Sequence, residues 1–146
     1  MERTEHPFPF NHMIPCIKGD KHLSFILYGP RGAGKSRTAL YLSYNLAYYQ
    51  ENKRLPETYE DHAHLDIWEK IIKKRVIFTP KQLIDKLKKD KRYSFLIIDD
   101  ANIMFHTGIF RNDPHLYYAL IGLLATIRTK IGNLIVTAVD PTLLIK

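Results

Sequence analysis

One short segment constrains this chain more than any other. Residues 29–36 are Gly29, Pro30, Arg31, Gly32, Ala33, Gly34, Lys35 and Ser36. The apolar run before it, residues 22–28, reads as a buried strand. The pattern after it, from residue 35 to about residue 50, reads as a helix. A strand, a glycine-rich turn and a helix in succession open an α/β unit. Three glycines in the turn let the backbone take φ values that a β-carbon forbids.

The segment fits G-x-x-x-x-G-K-[ST], the Walker A pattern, or P-loop. Successive N–H groups of such a turn point inward and form a nest for phosphate oxygens. The helix that begins near Lys35 aims its positive end at the same oxygens. Lys35 is the right length to reach β- and γ-phosphates, and the Ser36 hydroxyl is a ligand for Mg²⁺. Arg37 follows in the first helical turn and is grouped with the binding residues. The expected ligand is ATP with Mg²⁺.

Downstream, the elements alternate. Residues 51–66 are polar and read as a loop or insertion, and residues 65–74 as a short helix. Residues 75–79 read as a second strand. Pro80 then sits where a first helical turn accepts proline, and that helix runs to about residue 90. Residues 94–98 form a continuously apolar third strand, as expected where both faces are covered. A loop over 101–113 leads to a helix over 114–130 that Gly132 and Asn133 end. Residues 134–138 are the fourth strand. This β-α-β-α-β-α-β order predicts a parallel sheet with helices on both faces, a three-layer α/β fold. Residues 1–22, rich in proline, read as an extended lead-in, and residues 23–146 as the core domain.

The third strand ends in Asp99 and Asp100, which fits Walker B. Asp99, at the carboxyl edge where ligands bind in such sheets, is expected to hold Mg²⁺ through water. Asp100 stands where many P-loop ATPases carry a glutamate that polarises the attacking water, and it is one methylene shorter. The fourth strand carries Thr137, with Asp140 just beyond it. A sensing role toward the γ-phosphate falls to one of these two.

With these segments in place, the chain resembles the AAA+ ATPases, in particular the branch of bacterial replication initiators and helicase loaders. Residues 29–36, 76–84, 96–101 and 134–140 carry the resemblance, which spans 23–140. The chain is also similar in overall look to small ATPases of archaeal viruses and plasmids. The resemblance implies strand order 5-1-4-3-2, ATP-driven assembly with a homo-oligomer or protein partner, and work on DNA. It also implies an arginine finger and a helical lid beyond the fourth strand. The sequence runs to Lys146, so the fifth strand and lid are expected to be missing from it. Arg128 is the one candidate for a finger, against a plain role as a surface cation at a helix end.

Charge and composition set the remaining expectations. The formal net charge of +7 is concentrated in residues 70–92, where Lys and Arg far outnumber acids. Lys86, Lys88, Lys89, Lys91 and Arg92 surround a helix end there, and DNA is a possible partner of the segment. The single cysteine, Cys16, rules out an internal disulfide. No apolar run approaches the roughly 18 residues of a membrane span, so the expected location is the cytoplasm. His62 and His64 lack zinc-type spacing and read as loop residues. Tyr41, Tyr44 and Tyr48 recur at helical spacing and read as core packing. Phe8, Phe10 and Ile14 are candidates to lie against an adenine ring. Two alternatives stand beside an ATPase: a non-hydrolysing nucleotide switch, and a small-molecule kinase, for which only Arg111 is found in the loop after Asp100.

Overall fold

The computed structural model describes residues 6–18, 20–104 and 111–139. Four strands, β1 (Leu23–Tyr28), β2 (Val76–Ile77), β3 (Tyr93–Ile98) and β4 (Ile131–Ala138), form one sheet in the order β1-β4-β3-β2. All pairings are parallel. The expected parallel α/β architecture is therefore present. Helices α1 (Phe10–Met13), α2 (Lys35–Asn52), α3 (Leu65–Lys74), α4 (Pro80–Lys88), α5 (Ala101–Met104), α6 (Pro114–Leu124) and α7 (Ile127–Lys130) connect the strands.

The period-two geometry of a strand divides the core into two. Phe95 and Ile97 of β3 and Ile135 of β4 face α1, α2 and α3, where Met13, Leu42, Tyr44, Leu46 and Ile71 are buried. Leu96, Ile98, Leu134 and Val136 face the other way, against Leu83, Ile84 and Leu87 of α4 and Leu120 of α6. Because helices cover both faces of β3 and β4, every residue of these strands is buried. At the sheet edge, β1 alternates between half-buried and exposed.

Helix starts follow local chemistry. Thr79 caps α4 through a reciprocal box with Gln82, and Pro80 occupies the first turn. The Asp113 side chain accepts the Leu116 N–H at the start of α6.

The structure corrects three expectations. The helix expected over 114–130 is broken into α6 and α7, because Thr126 turns its hydroxyl back onto the Leu123 carbonyl at 2.7 Å and bends the chain. Gly132 and Asn133, expected to end that helix, instead lie inside β4. There they hold the N-terminal segment. A β-carbon on Gly132 would stand 2.0 Å from the Cys16 carbonyl oxygen, so only glycine admits this crossing. The Asn133 amide donates to the carbonyls of Met13 and Ser94. Arg92 adds bonds to the carbonyls of Cys16, Ile17 and Lys21. The expected extended lead-in is thus helical over 10–16 and contributes Phe10, Met13, Cys16 and Ile17 to the interior.

Candidate functional site

The carboxyl ends of β1, β3 and β4 meet the N-terminus of α2. Gly32 and Gly34 take left-handed φ values of 80° and 83°, which turn the chain sharply between β1 and α2. Gly29 N–H is tied to the Ala138 carbonyl, so the loop starts at the end of β4. Among the described residues, the N–H groups of Gly32, Gly34, Lys35, Ser36 and Arg37 have no backbone partner. The last three belong to the orphan donors of a helix start. No side chain caps α2. The loop therefore presents a row of free N–H donors at the positive end of an 18-residue helix.

Lys35 folds back over this loop. Its ammonium donates to the carbonyls of Gly29 and Pro30 at 2.7 and 2.8 Å. No acid pairs with it among the described residues, where the ion pairs are Arg54–Asp61 and Lys73–Glu69. Among the described residues, these two carbonyls are its hydrogen-bond partners.

Across the loop, three side chains form a chain of hydrogen bonds. The Ser36 hydroxyl donates to Asp99 Oδ1 at 2.7 Å, and the Thr137 hydroxyl donates to the same oxygen at 2.8 Å. Thr137 Oγ1 in turn accepts the Asp100 N–H at 2.8 Å. Thr137 is buried, whereas Asp99 and Asp100 are half-exposed at the mouth of the site. Asp100 has a φ of 53°, unusual for a residue with a side chain. The Thr137 bond fixes that turn, which sets the direction of the Asp100 carboxylate. The sequence thus brings together, across more than a hundred positions, the residues expected to act as one site. Asp140 lies outside the described residues.

No protein-family model, curated protein or solved structure matches this chain.

Ser36 Oγ and Asp99 Oδ1 are hard oxygens already within hydrogen-bond distance of one another, at the mouth of the glycine loop. Among the described residues, no group of three or more His, Cys, Asp or Glu is placed to hold a metal. Mg²⁺ commonly takes one or two protein oxygens and completes its shell with water and phosphate, so two oxygens beside a loop with free N–H groups fit it.

Other candidate residues fall elsewhere. Phe10 is 6% exposed in the core, which removes it from an adenine surface, and Ile14 is half-buried against that core. Phe8 is exposed, with its ring near those of His12 and Phe25. Tyr44 and Tyr48 are core residues as expected, whereas Tyr41, expected with them, is 47% exposed; Tyr44 stacks on Trp68 at 4.3 Å. His62 stacks on Tyr41 and Tyr44, and its Nδ1 contacts the Thr58 carbonyl. Arg128 is exposed on α7. Among the described residues, no helix is long and apolar enough to cross a membrane.

Two features escaped sequence reading. Asn102 Oδ1 accepts the Val139 N–H at 2.6 Å and ties α5 to the end of β4 beside the site. Asp61, in the 51–66 insertion, is a buried hub. It accepts Arg54 through both oxygens, the N–H groups of Glu57 and Thr58, and the Tyr48 hydroxyl. The Arg54 guanidinium, with the Glu57 N–H and Tyr48 hydroxyl, holds its carboxyl well below the usual carboxylate range. Nothing in local sequence marks either residue, because their partners are assembled by tertiary contact.

Proposed function

We propose that this chain binds ATP with Mg²⁺ on the 29–36 loop and hydrolyses it, as a P-loop ATPase of the AAA+ type. The observation that carries this reading is the set of free N–H groups of Gly32, Gly34, Lys35, Ser36 and Arg37, on the loop whose Ser36 hydroxyl joins the Asp99–Thr137 hydrogen-bond chain. Donors without backbone acceptors and a lysine without an acid, both among the described residues, and a carboxylate at the sheet's carboxyl edge together match the needs of a polyphosphate.

In this reading, Lys35 exchanges the Gly29 and Pro30 carbonyls for β- and γ-phosphate oxygens. Neutralisation of charge on the phosphate oxygens is the chemistry that Mg²⁺ supplies when bound, with Ser36 and Asp99 as the residues that would hold it. Asp100 orients the attacking water and accepts its proton. Thr137 spends its one proton on Asp99. It therefore acts on the γ-phosphate side by positioning Asp99 and the Asp100 backbone, and Asp140 is the alternative for direct sensing. Positioning and charge stabilisation do most of the work in phosphoryl transfer. Turnover by the chain alone is slow, because assembly with further copies or a protein partner completes AAA+ sites.

Phosphate release with Mg²⁺ and ATP, measured beside equilibrium nucleotide binding, tests the proposal. Both signals disappear in Lys35→Ala if it holds. Turnover that survives in Lys35→Ala refutes it. Tight ATP binding without turnover, by the chain at any concentration, replaces the ATPase with a nucleotide switch.

A further inference from the structure

At the opposite end of the sheet, a cleft of about 430 Å³ opens between the last turns of α2, the length of α3 and the start of β3. It is far from the glycine loop. Its α2 residues begin at Ala47, about 18 Å along the helix from Lys35 at 1.5 Å per residue. Lys70, Lys74, Arg75 and Lys91 line it, with Glu51 as the one acid among the lining residues. Ile67, Ile71 and Phe95 supply an apolar floor.

These cations are held in place without acids. The Arg75 guanidinium donates to the Phe95 carbonyl and lies over the rings of Phe95 and Tyr93. Lys86 donates to the Lys74 carbonyl. Lys86, Lys91 and Arg75 all sit 5.2–5.5 Å from the centre of the single Tyr93 ring. None of the five cations is in an ion pair among the described residues. Burial lowers the pKa of Lys86, and the charges of Lys89, Arg75 and Lys91 lower it further. Like charges gathered this closely raise the energy of the free protein, and an anion relieves it.

We propose that this cleft binds the phosphodiester backbone of single-stranded nucleic acid. At about 430 Å³ the cleft is a concave space of small-ligand size, which suits one strand and not the convex face of a duplex. None of its lining residues belongs to β1 or β2, the strands at the open edges of the sheet. It offers no row of N–H and C=O groups for a peptide backbone to pair with. A phosphodiester strand needs no such row and brings one charge at every step. The inference stands apart from nucleotide hydrolysis, since it uses none of the residues of the glycine loop. It also divides the basic segment: Arg92 is committed to the N-terminal carbonyls, and Lys70 joins from α3.

The test is fluorescence anisotropy of a labelled single-stranded oligonucleotide across a salt series, with the full chain and no ATP. Each phosphate neutralised on a single strand contributes a slope of about −0.7 in log K against log salt, so four cleft cations give about −3. The triple variant Lys70→Gln, Lys74→Gln, Lys91→Gln is expected to reduce this to about −0.7. Lys73→Gln with Lys81→Gln, outside the cleft, is expected to leave the slope within about 0.7 of wild type. Lys35→Ala is expected to bind the oligonucleotide like the wild type, so failure here is distinct from failure of the ATPase reading. Lys70, Lys73, Lys74, Lys81 and Lys91 are exposed and Lys35 is half-buried, and circular dichroism checks that the variants remain folded. A slope unchanged in the triple variant overturns the proposal. So does a polyglutamate peptide that binds as tightly and is lost in the same variant, which would make the cleft a site for acidic protein.

Discussion

Replacing Thr137 by valine keeps the shape of a buried strand residue and deletes one hydroxyl. That hydroxyl donates to Asp99 Oδ1 and accepts the Asp100 N–H, both at 2.8 Å. A hydrogen bond to a charged group contributes about 1.5–3 kcal/mol, and a neutral one about 0.5–1.5 kcal/mol. Asp99 is half-exposed and keeps its bond from Ser36, which favours the low end of the first range. The sum is about 2–3 kcal/mol of stability. For a chain of 146 residues this lowers Tm by roughly 5–10 °C. The left-handed turn at Asp100 also loses the bond that fixes it, so turnover is expected to fall on the order of 10- to 100-fold, the effect of a misdirected catalytic group. Thr137→Ser restores both bonds and is expected to recover turnover to within about threefold, since 0.5 kcal/mol or less should remain lost. Urea unfolding and phosphate release on the two variants give both numbers. A valine variant within about 0.5 kcal/mol of wild type, or serine and valine variants with equal turnover, would refute the argument that this hydroxyl organises the site.

Further outcomes follow from other contacts. Gly132→Ala places a β-carbon 2.0 Å from the Cys16 carbonyl oxygen and 2.9 Å from that of Ser94. Both are backbone atoms that cannot rotate away, so the loss is expected to exceed the roughly 1–3 kcal/mol of ordinary overpacking. Thermal unfolding and protease sensitivity of residues 6–18 would record it. Asp61 has a folded pKa below its unfolded one, so its contribution is present at neutral pH and lost as pH falls below about 4 toward that folded pKa. The stability gap between wild type and Asp61→Asn, measured by urea unfolding, should stay constant above about pH 5 and narrow in acid. Asp100→Asn should reduce turnover by about 10²-fold or more if this carboxylate serves the attacking water. Asp100→Glu, which restores the missing methylene, should retain turnover under the same assay.

Sequence alone determined the parallel α/β plan and the chemistry available at one end of it. The glycine spacing at 29–36, the strand before it and the helix after it are local, and local sterics fix them. The apolar run over 94–98 and its terminal acids are equally local. Tertiary structure decided what those residues meet. Ser36, Asp99 and Thr137 are 63 and 38 positions apart, and only the β1-β4-β3 order places them within hydrogen-bond distance. The N-terminal segment carried no periodicity long enough to show that it folds, because its short helices are stabilised by Asn133 of β4 and by Arg92, the residue before β3. Gly132 looked like a helix stop, since a glycine's local signal is the same whether the backbone turns or another strand of chain crosses it. The basic segment likewise showed its charge but not its cleft, because α2, α3 and β3 must pack before those cations share one space. Spacing along a chain encodes backbone geometry, whereas compensation of buried polar groups and gathered charges depends on partners that packing alone supplies.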